Sequence, residues 1–205
     1  HNLMKAHGQA VINLRKYAKQ KIRVGYAPTC GVAYPASEGT KDIEAAKKVY
    51  FGFDNPMDNW TWNVAWFSDP VFLGEYPKEG LEKFAPYLPE ITKEDMELIH
   101  QPLDFMGQNI YNGYMIRCGK DGKPEYVDRA PGAAKTGTGW PVTPEALYYG
   151  IRFLSVTICR FILQKTECPI LTIFPRTDRC MTAKESHFWM HIWVLCSVRS
   201  MRECR

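Results

Sequence analysis

His187 and His191 stand four residues apart, with Cys180 and Cys196 outside them. Two histidines at i and i+4 share one face of a helix and can hold a single metal ion. The cysteines, however, follow no C-x-x-C spacing of a zinc site, so the expectation is no metal and no cofactor. A second candidate is the run Pro131-Gly132-Ala133-Ala134-Lys135-Thr136-Gly137-Thr138-Gly139. Lys-Thr beside glycines suggests a phosphate cradle, but the order G-x-x-x-x-G-K is missing, and the run reads as a flexible loop. Trp60, Trp62 and Trp66 offer flat faces on which a ligand could stack. Large aromatic side chains dominate core burial, so packing beneath a loop is the reading preferred for all three.

The elements that would position such groups follow from periodicity and punctuation. Leu3, Ala6, Ala10, Leu14 and Ala18 recur at helical spacing and predict a helix over 3–18. Ile22 to Tyr34 mixes β-branched residues with Gly and Pro and reads as a strand leaving into a loop. Thr40 is placed to cap a helix over 41–53. The Trp-, Asn- and Pro-rich stretch 54–76 reads as an ordered loop with a short helix, and 77–87 as a further turn or two. Thr92 and Asp95 have capping-box spacing, with Ile91 placed to staple onto Met96 and the helix ending near Ile99. Leu103 to Tyr111 predicts a strand. Gly119 to Gly139 reads as a loop with a hairpin turn at Lys120-Asp121-Gly122. Thr143-Pro144-Glu145 opens the next helix. Helices and strands alternating at this spacing predict a parallel α/β architecture.

Composition changes along the chain. Cys30 and Cys118 lie in the first 153 residues, whereas Cys159, Cys168, Cys180, Cys196 and Cys204 crowd the last 52. From Leu154 onward there are eight Lys or Arg against four Asp or Glu and no Gly, so this stretch carries the whole net charge of +4. Such a step marks a boundary. Residues 1–153 therefore read as one unit and 154–205 as a tail with no sustained period and no domain of its own. A net charge of +4 singles out neither nucleic acid nor membrane as a partner. Phe188 to Val198 is too short an apolar run to cross a bilayer. A chain that opens on His1 reads as a fragment or processed product, and no secretory signal is visible.

His1-Asn2-Leu3 with Ala6-His7-Gly8 is similar to the helix after barrel strand 4 of family 1 glycoside hydrolases, and further segments resemble that family in its order. Gly31-Val32-Ala33-Tyr34-Pro35-Ala36-Ser37 is similar to the end of strand 5. Trp66-Phe67-Ser68-Asp69-Pro70 with Gly74-Glu75-Tyr76-Pro77 resembles the stretch that follows it. Asp104 to Tyr111 resembles strand 6, and Gly139-Trp140 with Pro144 to Tyr148 the next helix. The resemblance implies part of a (β/α)8 TIM barrel, roughly helix 4 to helix 6, with its site at the C-terminal ends of the strands. It also implies retaining hydrolysis of short β-glucosides, such as cellobiose or aryl glucosides, by two carboxyl groups. Tyr111 matches the tyrosine that hydrogen-bonds the family's nucleophile. Asn109, two residues earlier on the same strand face, is the second candidate substrate-binding residue. The family's catalytic glutamates lie in Asn-Glu-Pro and Ile-Thr-Glu-Asn-Gly motifs, and neither run occurs here. The chain is therefore expected to lack catalytic residues and to be inactive by itself. A 6-phospho-β-glucosidase and a non-catalytic remnant are the alternatives, and a cytoplasmic location without nucleic-acid or membrane partners is expected.

Where the second motif belongs, the chain reads Ile158-Cys159-Arg160-Phe161-Ile162-Leu163-Gln164-Lys165-Thr166-Glu167. Codons for Leu154 to Cys168, read from each third base, can spell ERYNLPFYITENGM using synonymous choices alone. The glutamate falls across the codons of Gln164 and Lys165. Nine of these residues running, LPFYITENG, match the stretch that holds the family's second motif, which chance would give roughly once in a million tries. The same frame can spell DGQVHD across Arg176 to Thr182. A frame slip near Phe153 would explain the tail's composition. Open strand edges and uncovered helix faces further predict a chain that aggregates without a cooperative thermal transition.

Overall fold

Helix α1 spans Asn2–Tyr17, close to the predicted bounds, and buries Met4, Gly8 and Val11. It packs on helix α5 (Lys93–Ile99). A side chain at position 8 would collide with the Leu98 carbonyl, so only Gly permits this approach. The two helices are also tied by charge. Asp95 receives Lys5 and lies 3.0 Å from His1 Nε2, whose Nδ1 is 3.1 Å from the Tyr76 hydroxyl. Hydrogen bonding from Lys5 comes first among the causes that hold the Asp95 carboxyl below its usual range. The computed structural model describes residues 1–53, 63–137, 139–162 and 170–173.

The other elements are β1 (Gly25–Tyr26), β2 (Val32–Pro35), α2 (Thr40–Phe51), α3 (Val64–Phe72), α4 (Lys78–Phe84), β3 (Phe105–Asn109), β4 (Gly113–Cys118), β5 (Pro124–Val127), α6 (Pro144–Ile162) and β6 (Ile170–Ile173). Strands β1, β3 and β6 form one parallel sheet in that order. Strands β2 and β4 pair in parallel, and β5 closes a hairpin on β4 through the predicted turn. The architecture is thus α/β, and the described strands form two open sheets and no closed barrel. Helix α2 covers β2 and β4, and α6 covers β2. The core gathers Val32, Ala46, Tyr50, Ile116 and Leu147 between them. Among the described residues no helix is long and apolar enough to cross a membrane.

The local signals are realised where they are closed by near neighbours. Thr92 Oγ1 accepts from Asp95 N–H at 3.1 Å, and the Asp95 carboxylate accepts from Thr92 N–H. Ile91 and Met96 both pack against the core. Two expectations need correction. Thr40 does not cap α2. It is the first helical residue, Gly39 holds the cap position, and the Ser37 hydroxyl bonds the Gly39 N–H and the Asp42 carboxylate instead. The segment Ile22 to Tyr34 is two short strands in different sheets, because β1 follows β3 while β2 follows β4. Regular structure also continues past Phe153. Helix α6 runs to Ile162 because nothing in 154–162 is Gly or Pro, the residues that stop a helix most strongly.

Trp66 lies in the core of the α3–α4 region. Its ring packs on Tyr76, Phe84 and Phe53 with centroids 4.7, 5.1 and 6.1 Å apart. Asn63 caps α3 by accepting from Trp66 N–H at 2.9 Å, which fixes that ring over the cluster. Packing is therefore the role of Trp66. Trp60 and Trp62 lie outside the described residues, as do His187, His191, Cys180 and Cys196.

Candidate active-site edge at the end of strand β3

Alternation along β3 sends successive side chains to opposite faces. Asn109 is held on the backbone of the β1–β2 connection. Its N–H donates to Pro28 O at 3.0 Å and its Nδ2 to Ala27 O at 3.3 Å. Tyr111 follows just past the strand end, and its ring meets Trp140 edge-on, with centroids 5.4 Å apart at 87°. Tyr111 is 36% and Trp140 48% exposed, so both reach solvent from this edge. The structure thus places Asn109 at the end of β3 and Tyr111 two residues beyond it.

The glycine-rich run supplies Trp140. Thr136 N–H donates to Trp140 O at 2.8 Å, Trp140 N–H to Thr136 Oγ1 at 3.1 Å, and Gly139 N–H to Thr136 O at 2.9 Å. Gly139 turns the chain at φ +85°, a conformation in which other residues are strained. Arg129 pins the loop by donating to Ala134 O and Val142 O, each at 3.0 Å. Lys135 pairs through its backbone with Pro141. The described part of the run is therefore a loop with a hydrogen-bonded turn that presents an indole.

Behind the same strand lies a polar group that the sequence does not announce. Gln108 is fully buried and donates through Nε2 to Cys30 Sγ at 2.6 Å and to the Tyr50 hydroxyl on α2. Its Oε1 is buried without a hydrogen-bond partner. Burial, the largest cause, pushes the Cys30 thiol up to about 11 and the Tyr50 hydroxyl well above its ordinary value. Both stay neutral, so the trio is a tie between β3 and α2 with no nucleophile in it. Asp69 on α3 is the other group missed in the sequence. Burial first, and the nearby Glu75 second, push its carboxyl up to about 7. Among the described residues no three His, Cys, Asp or Glu gather as metal ligands would.

Comparison with known proteins places this edge in context. Residues 1–160 match the family described as Glycosyl hydrolase family 1. "Beta-glucosidase A" of Thermotoga maritima is 34% identical over 151 residues, covering 73% of this chain and 31% of that protein. A "Beta-glucosidase" of an Agrobacterium species is 34% identical over 154 residues, 72% of this chain and 31% of that protein. This chain therefore spans about a third of the length of these relatives. A Thermotoga maritima β-glucosidase in complex with castanospermine is similar in structure, with TM-score 0.56 and 33% identity over 77% of this chain and 33% of that one. A Thermotoga maritima family 1 glycoside hydrolase complexed with a cyclophellitol analogue gives TM-score 0.66 at 26% identity, over 99% of this chain and 44% of that one.

Proposed function

The chain belongs to glycosyl hydrolase family 1, and on that premise we propose that its parent protein is a β-glucosidase acting on short β-glucosides. The observation that carries this reading is the β3 edge, where Asn109 and Tyr111 stand together in a chain a third identical to β-glucosidases. Retaining hydrolysis needs one carboxylic acid to protonate the leaving oxygen and a second carboxylate, ~5 Å away, to attack the anomeric carbon. In this scheme the Tyr111 hydroxyl steadies the attacking carboxylate and Asn109 holds the strand end in place. Trp140 walls the edge with an apolar face.

Within residues 1–205 neither Asn-Glu-Pro nor Ile-Thr-Glu-Asn-Gly occurs, so this stretch alone does not hydrolyse glucosides in our reading. The test is a chromogenic aryl β-glucoside offered to two proteins. The purified 205-residue chain should release no chromophore. A complete protein carrying residues 1–153 and both carboxylate motifs should release it, and should prefer the glucoside to its 6-phosphate. Turnover by the 205-residue chain, or preference for the 6-phosphate, would overturn the reading.

A further inference from the structure

We propose that the gene for this chain encodes the missing nucleophilic glutamate in an overlapping frame, across the codons of Gln164 and Lys165. The inference rests on the family membership and β-glucosidase reading above. Three observations bear on the stretch that follows Phe153. Cysteine, glycine and charge all change at Leu154. The family match ends at residue 160, and the Thermotoga relative aligns with only 73% of the chain. Synonymous codons for Leu154 to Cys168 can spell ERYNLPFYITENGM from their third bases.

The fold gives this displaced reading a physical consequence. As written, α6 continues to Ile162, and its second half carries no residue that stops a helix. In the displaced frame a proline falls across the codons of Cys159 and Arg160. Proline removes an intrahelical hydrogen bond and clashes with the preceding turn, so α6 would end before it. The apolar, β-branched run that follows would then be free to extend as a strand. A parallel place beside β3 suits such a strand, since β3 accepts a parallel neighbour along Met106–Asn109, here β6. The displaced glutamate would arrive at the strand end, the end that carries Asn109 and Tyr111. Reading from the third base means that one nucleotide is missing near codon 153, so inserting one there joins the two frames.

Sequencing the coding DNA tests this directly, because the third bases are fixed. Gln164 must be CAG, Lys165 AAA and Thr166 ACG. CAA at codon 164 would give lysine in place of the glutamate and overturn the proposal, as would AAG at 165, which replaces the asparagine. The second measurement uses the complete gene with one base inserted at the junction. Intact-mass analysis should show a product continuing past residue 205, and α6 should lose amide protection beyond about residue 157, as expected where a proline ends a helix. An immediate stop in the inserted frame would overturn the proposal. If the codons fit but the repaired product leaves aryl β-glucosides untouched, the β-glucosidase reading fails while the frame assignment stands.

Discussion

The Tyr111 and Trp140 rings meet edge to face, 5.4 Å between centroids at 87°. Tyr111 lies two residues past the end of β3, whereas Trp140 sits on a turn held by backbone bonds around Thr136 and Gly139 and by the Arg129 side chain. An edge-to-face pair of this kind contributes about 0.5–1.5 kcal/mol beyond its buried area. Trp140→Ala should therefore shift the Tyr111 ring protons in NMR spectra of the 205-residue chain, whereas Trp140→Phe should keep part of the ring-current effect. In a complete enzyme the alanine variant should lose roughly two- to tenfold in kcat/KM, the same energy converted to a rate. Unchanged Tyr111 resonances would show that the pair is not formed.

Asp69 makes the α3 region pH-sensitive. Its folded value of about 7 lies above the ordinary value, so the folded form binds the extra proton. Unfolding releases that proton, and the local stability falls as pH rises from about 4 through about 7, then levels off. The loss is at most about 4 kcal/mol, the full shift converted. Asp69→Asn should remove this dependence. Amide exchange of residues 65–72, corrected for intrinsic rates, should be faster at pH 8 than at pH 5 in the parent chain and equal in the variant. Equal protection in the parent chain would refute the burial argument.

The Gln108–Tyr50–Cys30 trio should behave as one unit. Tyr50→Phe removes an acceptor of the Gln108 amide and should cost about 1 kcal/mol. Gln108→Leu keeps the volume and removes the unpartnered Oε1 together with the amide, so it should be neutral within about 1 kcal/mol. The double variant should cost less than the two singles added, since removing both partners leaves nothing buried and unpaired. Amide protection of β3 is the readout, and strict additivity would separate the residues.

What the sequence makes legible is the short-range part of this molecule. The Thr92–Asp95 box, the hairpin turn before β5 and the span of α1 are each closed by residues a few positions apart. Thr40 misleads because the Ser37 hydroxyl, just as well suited to capping, takes the bonds to the Gly39 N–H and the Asp42 carboxylate. The division of Ile22 to Tyr34 between two sheets depends on β3 and β4, which arrive much later in the chain. Within the site, Asn109 and Tyr111 are visible through strand alternation and motif resemblance. Trp140 lies in a motif too, but its contact with Tyr111 depends on how a distant turn folds back. Gln108 is hidden because a polar residue on a strand carries no sign of facing a helix, and Asp69 because its burial is made by tertiary packing.

Helix α1 carries an apolar stripe that no described residue covers. Leu3, Leu14 and Tyr17 are 65, 53 and 69% exposed and share one side of the helix with Ala10. Strand β1 has β3 on one edge and no described strand on the other. An uncovered apolar face and an unpaired edge both promote association between copies. The 205-residue chain should scatter light increasingly with concentration and show no sharp calorimetric peak. Leu14→Lys with Tyr17→Lys keeps good helix formers at both positions while placing charge on the stripe, so it should reduce scattering at equal concentration. The same pair of substitutions should leave the Tyr111 resonances unmoved, because Arg15 ties α1 to Asp104 before the start of β3 and Tyr111 lies past its other end. A monomeric parent chain with a sharp thermal transition would show instead that α1 and β1 are stable as they stand.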